Sequence, residues 1–369
     1  MLYPLKFKKV FKERVWGGQY LIDPKIETRG QGLVSIPCTS ESRQVPVPLS
    51  RLSKTPIGES WEICDHEEGV SIVINGALEG ETITELMKRN LEALLGRNNI
   101  VQNMRFPLLI KLIDANDKLS VQVHPKDDYA YKHENEPGKT EMWYIISAKP
   151  GARLVYGLRN HITKEIFKKA IDNNRIEKTL NEVEVKRGDV FFIPAGMVHA
   201  IGEGIVIAEI QQNSNTTYRV YDWNRVGLDG KPRELHIEKA LDVIDFDLKM
   251  ENRKEKKKGK DNGGVKENDN WSKEEEVRSL NGASSRSTVL ATCPYFTTEL
   301  LEIEHIHYDS TDKKGFHVLI VIEGNFKIVY EADGKEGEEM IKKEETLLMP
   351  AGVGKYTIVG KGVIIKTYL

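Results

Sequence analysis

Two stretches of this chain share an unusual spelling. Residues 188–200 read GDVFFIPAGMVHA and residues 344–356 read EETLLMPAGVGKY. In both, a short apolar run ends in Pro-Ala-Gly. An apolar run of this length, closed by a residue that cannot donate to a ladder and then by a turn residue, is a buried strand rather than a helix. A second apolar segment precedes each copy: residues 140–155 before the first, and residues 316–329, FHVLIVIEGNFKIV, before the second. A β-unit that recurs within one chain implies two similar β domains. The copies are unequal. Glu344 stands where Gly188 stands, and Lys355 where His199 stands.

Upstream of the first copy, Leu119, Val121 and Val123 alternate with Ser120, Gln122 and His124. Alternation predicts a strand with Gln122 and His124 on one face, ended by Pro125. After a polar loop, a strand from Thr140 puts Glu141, Trp143 and Ile145 on one face. An amide, an imidazole and a carboxylate are costly to bury without partners. A divalent cation is such a partner, and imidazole with oxygen ligands suits zinc, iron or manganese. His199, after the Pro-Ala-Gly turn, completes a set of four: Gln122, His124, Glu141 and His199.

The G-x₅-P-x-G-x₂-H spelling of residues 188–199 resembles the second cupin motif. The first cupin motif, H-x-H with an early glutamate, is altered here: Gln122 replaces a histidine and a long loop delays Glu141. Those departures, with Tyr218-Arg219-Val220-Tyr221-Asp222-Trp223, Trp16-Gly17-Gly18 and Gly58-Glu59-Ser60-Trp61, resemble class I mannose-6-phosphate isomerases, in particular their short bacterial form. The resemblance implies a mainly β fold of two cupin (jelly-roll) barrels. The first barrel, with peripheral helices, would hold one divalent metal ion, zinc by expectation, and the second would be degenerate. It further implies an aldose–ketose isomerase that interconverts mannose 6-phosphate and fructose 6-phosphate through an enediol(ate).

That chemistry moves a proton between adjacent carbons and needs stabilisation of negative charge, a positioned base and cations for the phosphate. The resemblance places an active-site arginine at Arg219 and a lysine at Lys139. The blander reading pairs Arg219 with Asp222. Lys111 interrupts an apolar strand and must be paired or turned into a pocket. Ser120, Lys111, Asp222 and Trp16 are the expected substrate contacts. For the base, the residues leave Asp222, Lys139, Glu209 and a water open. Two other functions compete: oxygen chemistry at iron, against which Gln122 and the Arg219 motif argue, and a sugar-binding module with a vestigial site, which predicts a missing ligand. His305, His307 and His317 in the second copy suggest at most a partial second site, since Lys355 replaces the last histidine.

The rest of the chain sets the frame. A net charge of −2 argues against a general affinity for nucleic acid or anionic membrane, so phosphate recognition must be local. The opening residues lack a signal-peptide core, no stretch has the length of a membrane span, and the three cysteines are widely spaced. A cytoplasmic enzyme, monomeric or a small homo-oligomer, is the expectation. Residues 31–56 read as an exposed loop. Thr82-Ile83-Thr84-Glu85 has capping-box spelling before a helix ending at Gly96, and Thr163 caps another whose buried stripe is Ile166, Phe167, Ala170 and Ile171. Residues 249–288 are charged, with little to bury, and read as a flexible tether between a catalytic domain, 1–248, and a C-terminal domain, 289–369.

Overall fold

The computed structural model describes residues 2–22, 56–97, 104–248, 284–312, 315–332 and 334–369, and the backbone of the strands Leu33–Ile36 and Val45–Pro48. The expected tether lies almost wholly outside the described residues. Its last residues do not: from Ser285 the chain is already in the strand Ser285–Cys293.

The first barrel is built from two sheets. The larger runs in the order Val190–Ile193, Glu141–Ala148, Ile205–Gln212, Leu108–Ala115, Ile57–Ile63, Val10–Gly18, Leu33–Ile36, Val45–Pro48. The smaller runs Leu180–Glu184, Arg153–Leu158, His199–Ala200, Val121–Val123, Tyr218–Tyr221. Period-two alternation decides which core each side chain joins. On Glu141–Ala148, Trp143 and Ile145 face the barrel interior with Phe191, Ile193 and Ile207, while Met142, Tyr144 and Ile146 face a different core. That second core lies between the two barrels and includes Phe316, Ile320 and Ile365. Phe106 and Phe316 meet across it with ring centres 4.8 Å apart.

The second barrel wraps mainly one sheet, in the order Leu5–Lys6, Thr346–Met349, His317–Ala332, Lys355–Tyr368, Phe296–Ile303, Ser285–Cys293. Its interior is filled by residues such as Leu319, Phe326, Leu347 and Ile358. The repeat seen in the sequence is a repeat of register. Glu141 pairs with Ile193, and His317 pairs with Met349, the residue at the place of Ile193 in the second copy. The strand Leu5–Lys6 pairs with Thr346–Met349, so the N-terminus crosses the division expected at residue 248.

Several local expectations hold. Thr82 and Glu85 form a capping box on the helix Ile83–Leu95, and Gly96 ends it with φ of 94°. Thr163 caps Lys164–Asp172. Three differ. Residues 31–56, read as a loop, contain the strands Leu33–Ile36 and Val45–Pro48, which pair with each other and extend the larger sheet. Their prolines sit at the sheet edge, where a missing donor costs least. Ile166 is exposed and Phe167 alone in its predicted stripe is buried, because that helix lies at the periphery. The strand expected over 119–124 is only Val121–Val123. No helix among the described residues is long and apolar enough to cross a membrane.

Candidate active site

Sheet register brings the site together. On the smaller sheet, Gln122 lies directly opposite His199 on one side and Arg219 on the other. Residues directly opposite share a face, so this cross-strand row points three side chains the same way. Glu141 enters from the larger sheet, at the start of its strand. His124 lies just past the end of Val121–Val123 and is turned into the same cluster.

The two histidines are held in one tautomer by what lies behind them. His124 Nδ1 is 2.9 Å from the Thr216 carbonyl, and His199 Nδ1 is 2.9 Å from the Met197 carbonyl. A carbonyl only accepts, so each Nδ1 carries the proton and each Nε2 presents a lone pair. Those Nε2 atoms face each other at 3.1 Å. Glu141 Oε2 is 3.6 Å from the first and Oε1 3.5 Å from the second. Oε1 is buried without a hydrogen-bond partner. Lone pairs converging with an orphaned carboxylate oxygen suit a metal cation. The potential ligand atoms of His124, Glu141 and His199 all lie within 4.8 Å of one another, so this cluster could hold a metal ion. Gln122 is beside them, its amide 3.4 Å from His199 Nε2. Coordination would require its Oε1, the other end of a near-isosteric amide, to face the cluster.

Lys139 stands among these groups, with Nζ 3.0 Å from both His124 Nε2 and Glu141 Oε2. Burial, followed by Lys139 for His124, pushes both histidines down, His199 to about 4. Burial also pushes the Glu141 carboxyl up, against the pull of Lys139. Burial would lower Lys139, but Glu141 and Glu209 outweigh it and hold the ammonium up. The site thus favours neutral imidazoles, the form a metal requires.

A second row crosses the larger sheet. Trp61 faces Lys111, Lys111 faces Glu209 and Glu209 faces Trp143 on four successive strands. Lys111 Nζ lies 3.3 Å from Glu209, whose other oxygen accepts from Trp143 Nε1 at 2.9 Å. Glu59 accepts from Trp61 Nε1 and from Arg14 Nε, both at 2.7 Å, and lies 4.0 Å from Lys111. Burial alone would raise Glu59, yet Arg14 and Lys111 hold it well below the carboxylate range. Lys111 is therefore both paired and turned into the pocket.

Gln122 and Arg219 from the first row and Lys111 and Glu209 from the second line a cavity of ≈ 580 Å³ that also reaches Trp16, Ser120, Arg14 and Arg233. Arg219 lies in its wall. Its Nη1 donates to the Glu234 carbonyl at 2.8 Å, its Nε is buried without a partner, and no carboxylate pairs with it among the described residues. Asp222, the partner that the blander reading gives Arg219, is held instead by Arg225 and Arg233. It does not line the cavity, unlike the other expected substrate contacts Ser120, Lys111 and Trp16. Arg14 and Arg233 were not anticipated. Only the fold brings them beside Arg219.

The family comparisons agree with this geometry. Residues 38–149 match the catalytic domain of type I phosphomannose isomerases, and residues 286–369 match the cupin domain of mannose-6-phosphate isomerases. The chain is 36% identical over 369 residues to the mannose-6-phosphate isomerase ManA of Bacillus subtilis, covering 99% of each. A mannose-6-phosphate isomerase from Streptococcus mutans is 48% identical over 187 residues, 51% of this chain and 58% of that one. The crystal structure of the mannose 6-phosphate isomerase from Bacillus subtilis superposes over 100% of both chains with a TM-score of 0.78 and 31% identity. With that match extending through both barrels, the chain belongs to the mannose-6-phosphate isomerase family.

Proposed function

We propose that the chain interconverts mannose 6-phosphate and fructose 6-phosphate in the cavity beside His124, Glu141 and His199, with one zinc ion held by these residues and Gln122. The observation that carries this reading is the fit of the donor set. Two Nε2 lone pairs and the orphaned Glu141 Oε1 converge directly behind Gln122 and Lys139, which line a cavity that also presents the uncompensated Arg219. When bound, the ion would act as a Lewis acid that stabilises negative charge on the substrate oxygens at C1 and C2.

The chain's own residues supply the rest. Lys139 carries the proton between the two carbons. Its Nζ already touches two of the proposed ligands, and committing Glu141 to a cation removes the main partner that holds the ammonium up. Glu209 is a poorer base, since Lys111 and Trp143 engage both of its oxygens. Asp222 is poorer still, being tied to two arginines, and its part is to hold Arg233 in place. Arg219 offers a planar fork to an oxyanion or to the phosphate. Ser120 and Trp16 complete the walls, with the Ser120 hydroxyl 3.4 Å from Gln122 Oε1. The same reading puts the enzyme in the cytoplasm, which its few, widely spaced cysteines support.

A coupled assay of fructose 6-phosphate formation, run before and after chelation and again after zinc is restored, tests this. Turnover that survives complete removal of metal would overturn the metal-dependent reading, and no turnover of mannose 6-phosphate by zinc-loaded protein would overturn the reaction.

A further inference from the structure

We propose that Tyr295, a residue of the second barrel, is a positioning residue for Lys139 and Glu141 in the first. The tyrosine sits in the turn between the strands Ser285–Cys293 and Phe296–Ile303. Its hydroxyl donates to Asp127 Oδ2 at 2.7 Å. The other oxygen of Asp127 accepts from the Gly138 backbone N–H at 2.7 Å and from Gln212 Nε2 at 2.9 Å. Gln212 Oε1 in turn accepts from the Thr140 N–H at 2.9 Å. The Lys139 N–H donates to the Pro125 carbonyl at 3.1 Å.

Three successive amides, those of Gly138, Lys139 and Thr140, are therefore fixed by groups around Asp127. This anchorage ties the segment that ends the His124 strand to the segment that begins the Glu141 strand. The approach is close enough to require glycine: a Cβ on Gly138 would lie 2.6 Å from the Asp127 nitrogen. Asp127 can hold the loop only if its carboxylate is itself fixed. One oxygen is committed to the loop and Gln212, and the Tyr295 hydroxyl fixes the other. The second barrel, which lacks the first barrel's ligand set, thus takes part in the site through one hydroxyl. Lys139 Nζ, 3.0 Å from His124 and Glu141, is the group whose placement depends on it.

The rival account is that Tyr295 merely helps the barrels adhere. Tyr20 separates the two. Its hydroxyl also bonds across the barrels, to Glu344 at 2.6 Å, but it does not touch the loop. Tyr295→Phe keeps the ring and removes only the donor. Amide hydrogen exchange over residues 134–142 should quicken by about tenfold in Tyr295→Phe and stay unchanged in Tyr20→Phe. With metal content equal, kcat of Tyr295→Phe should fall about tenfold while KM moves less than about twofold, since a misplaced catalytic lysine costs rate more than binding. Asp127→Asn should resemble Tyr295→Phe, and the double variant should be no worse than either single one. Exchange in Tyr295→Phe that matches the unaltered protein, or Tyr20→Phe that loosens the loop equally, would overturn the proposal. The activity arm rests on the isomerase reading. If the unaltered protein does not turn over mannose 6-phosphate, that reading fails while hydrogen exchange still decides the role of Tyr295.

Discussion

Each barrel buries a lysine among acids and histidines, and the two clusters have opposite characters. In the second barrel, Lys366 Nζ lies 3.0 Å from Glu299 and 2.9 Å from Asp309. Tyr356 donates to Asp309 at 3.1 Å, His317 Nδ1 lies 2.7 Å from the Tyr356 hydroxyl, and Tyr368 donates to Glu299 at 2.6 Å. Both carboxylates are answered by donors and by an ammonium. Burial would raise Asp309, but His307, Lys366 and His317 hold it far below its usual range. In the first barrel, Lys139 meets lone pairs that face one another and a carboxylate with one oxygen unanswered. A buried polar cluster whose carboxylates are answered rigidifies a fold, whereas one whose acceptors converge without enough protons is prepared for a cation. His317 occupies the register position of Glu141, so a neutral donor–acceptor replaces the anion at the place where a charge would be needed.

The largest expected effect tests the open cluster. His124→Ala or His199→Ala should lose both metal and at least roughly a thousandfold in rate, on the order of 4 kcal/mol. Elemental analysis of the unaltered protein should give about one divalent ion per chain. Two ions per chain would break the comparison, because the second barrel would then be a site as well.

Exchanging the lysines comes next. Lys366→Met leaves the half-buried Glu299 and Asp309 without their cation and should cost about 2–3 kcal/mol in urea unfolding, with activity per folded molecule and metal content nearly unchanged. In zinc-loaded protein, where the metal would answer Glu141, Lys139→Met should do the reverse, losing about 10²–10⁴ in kcat with little change in unfolding. Equal stability losses in the two variants would show that the clusters differ less than their geometry implies.

Arg219→Ala sharpens the comparison within the first barrel. A guanidinium has no lone pair for a metal, so metal content should hold while about 2–4 kcal/mol of transition-state stabilisation is lost. Arg219→Lys should recover part of that. With unphosphorylated mannose as substrate, an oxyanion role gives the same proportional loss, while a phosphate role gives little further loss. Metal lost along with activity would place Arg219 in the support of the ligands instead.

The smallest effect concerns pH. His317 is buried and, chiefly through burial, pushed down to about 4 from its ordinary 6.5. Its folded-state pKa is depressed, so the unfolded chain binds more protons between those values. Stability should be complete above about 6.5 and decline as pH falls toward about 4, by at most roughly 3 kcal/mol from this group. His317→Gln should flatten that part of a stability–pH curve measured on chelated protein. An unchanged slope would show that His317 is already neutralised in the unfolded chain or solvated in the folded one.

The candidate metal cluster was legible because its signals are local. Alternation put Gln122 and His124 on one wall, the Pro-Ala-Gly turn announced His199, and the repeated spelling announced a second barrel with equivalent register. Capping chemistry located the helix Ile83–Leu95 for the same reason. The expectation for residues 31–56 failed because prolines and serines argue for a loop unless a sheet edge accepts them, and an edge exists only once the sheet is assembled. The exposed Ile166 failed likewise, since periodicity names an apolar face without saying what covers it.

What the sequence determined by itself was the strand periods, the unequal repeat and the types of ligand. Tertiary structure alone decided which charges answer one another: Asp222 with Arg225 and Arg233 rather than Arg219, Lys111 between Glu59 and Glu209, and Tyr295 on Asp127. The physical reason is range. A strand's period is set by its own residues, while cross-strand register and barrel docking join positions far apart in the chain, and burial charges a penalty for every group left unpaired only after they meet.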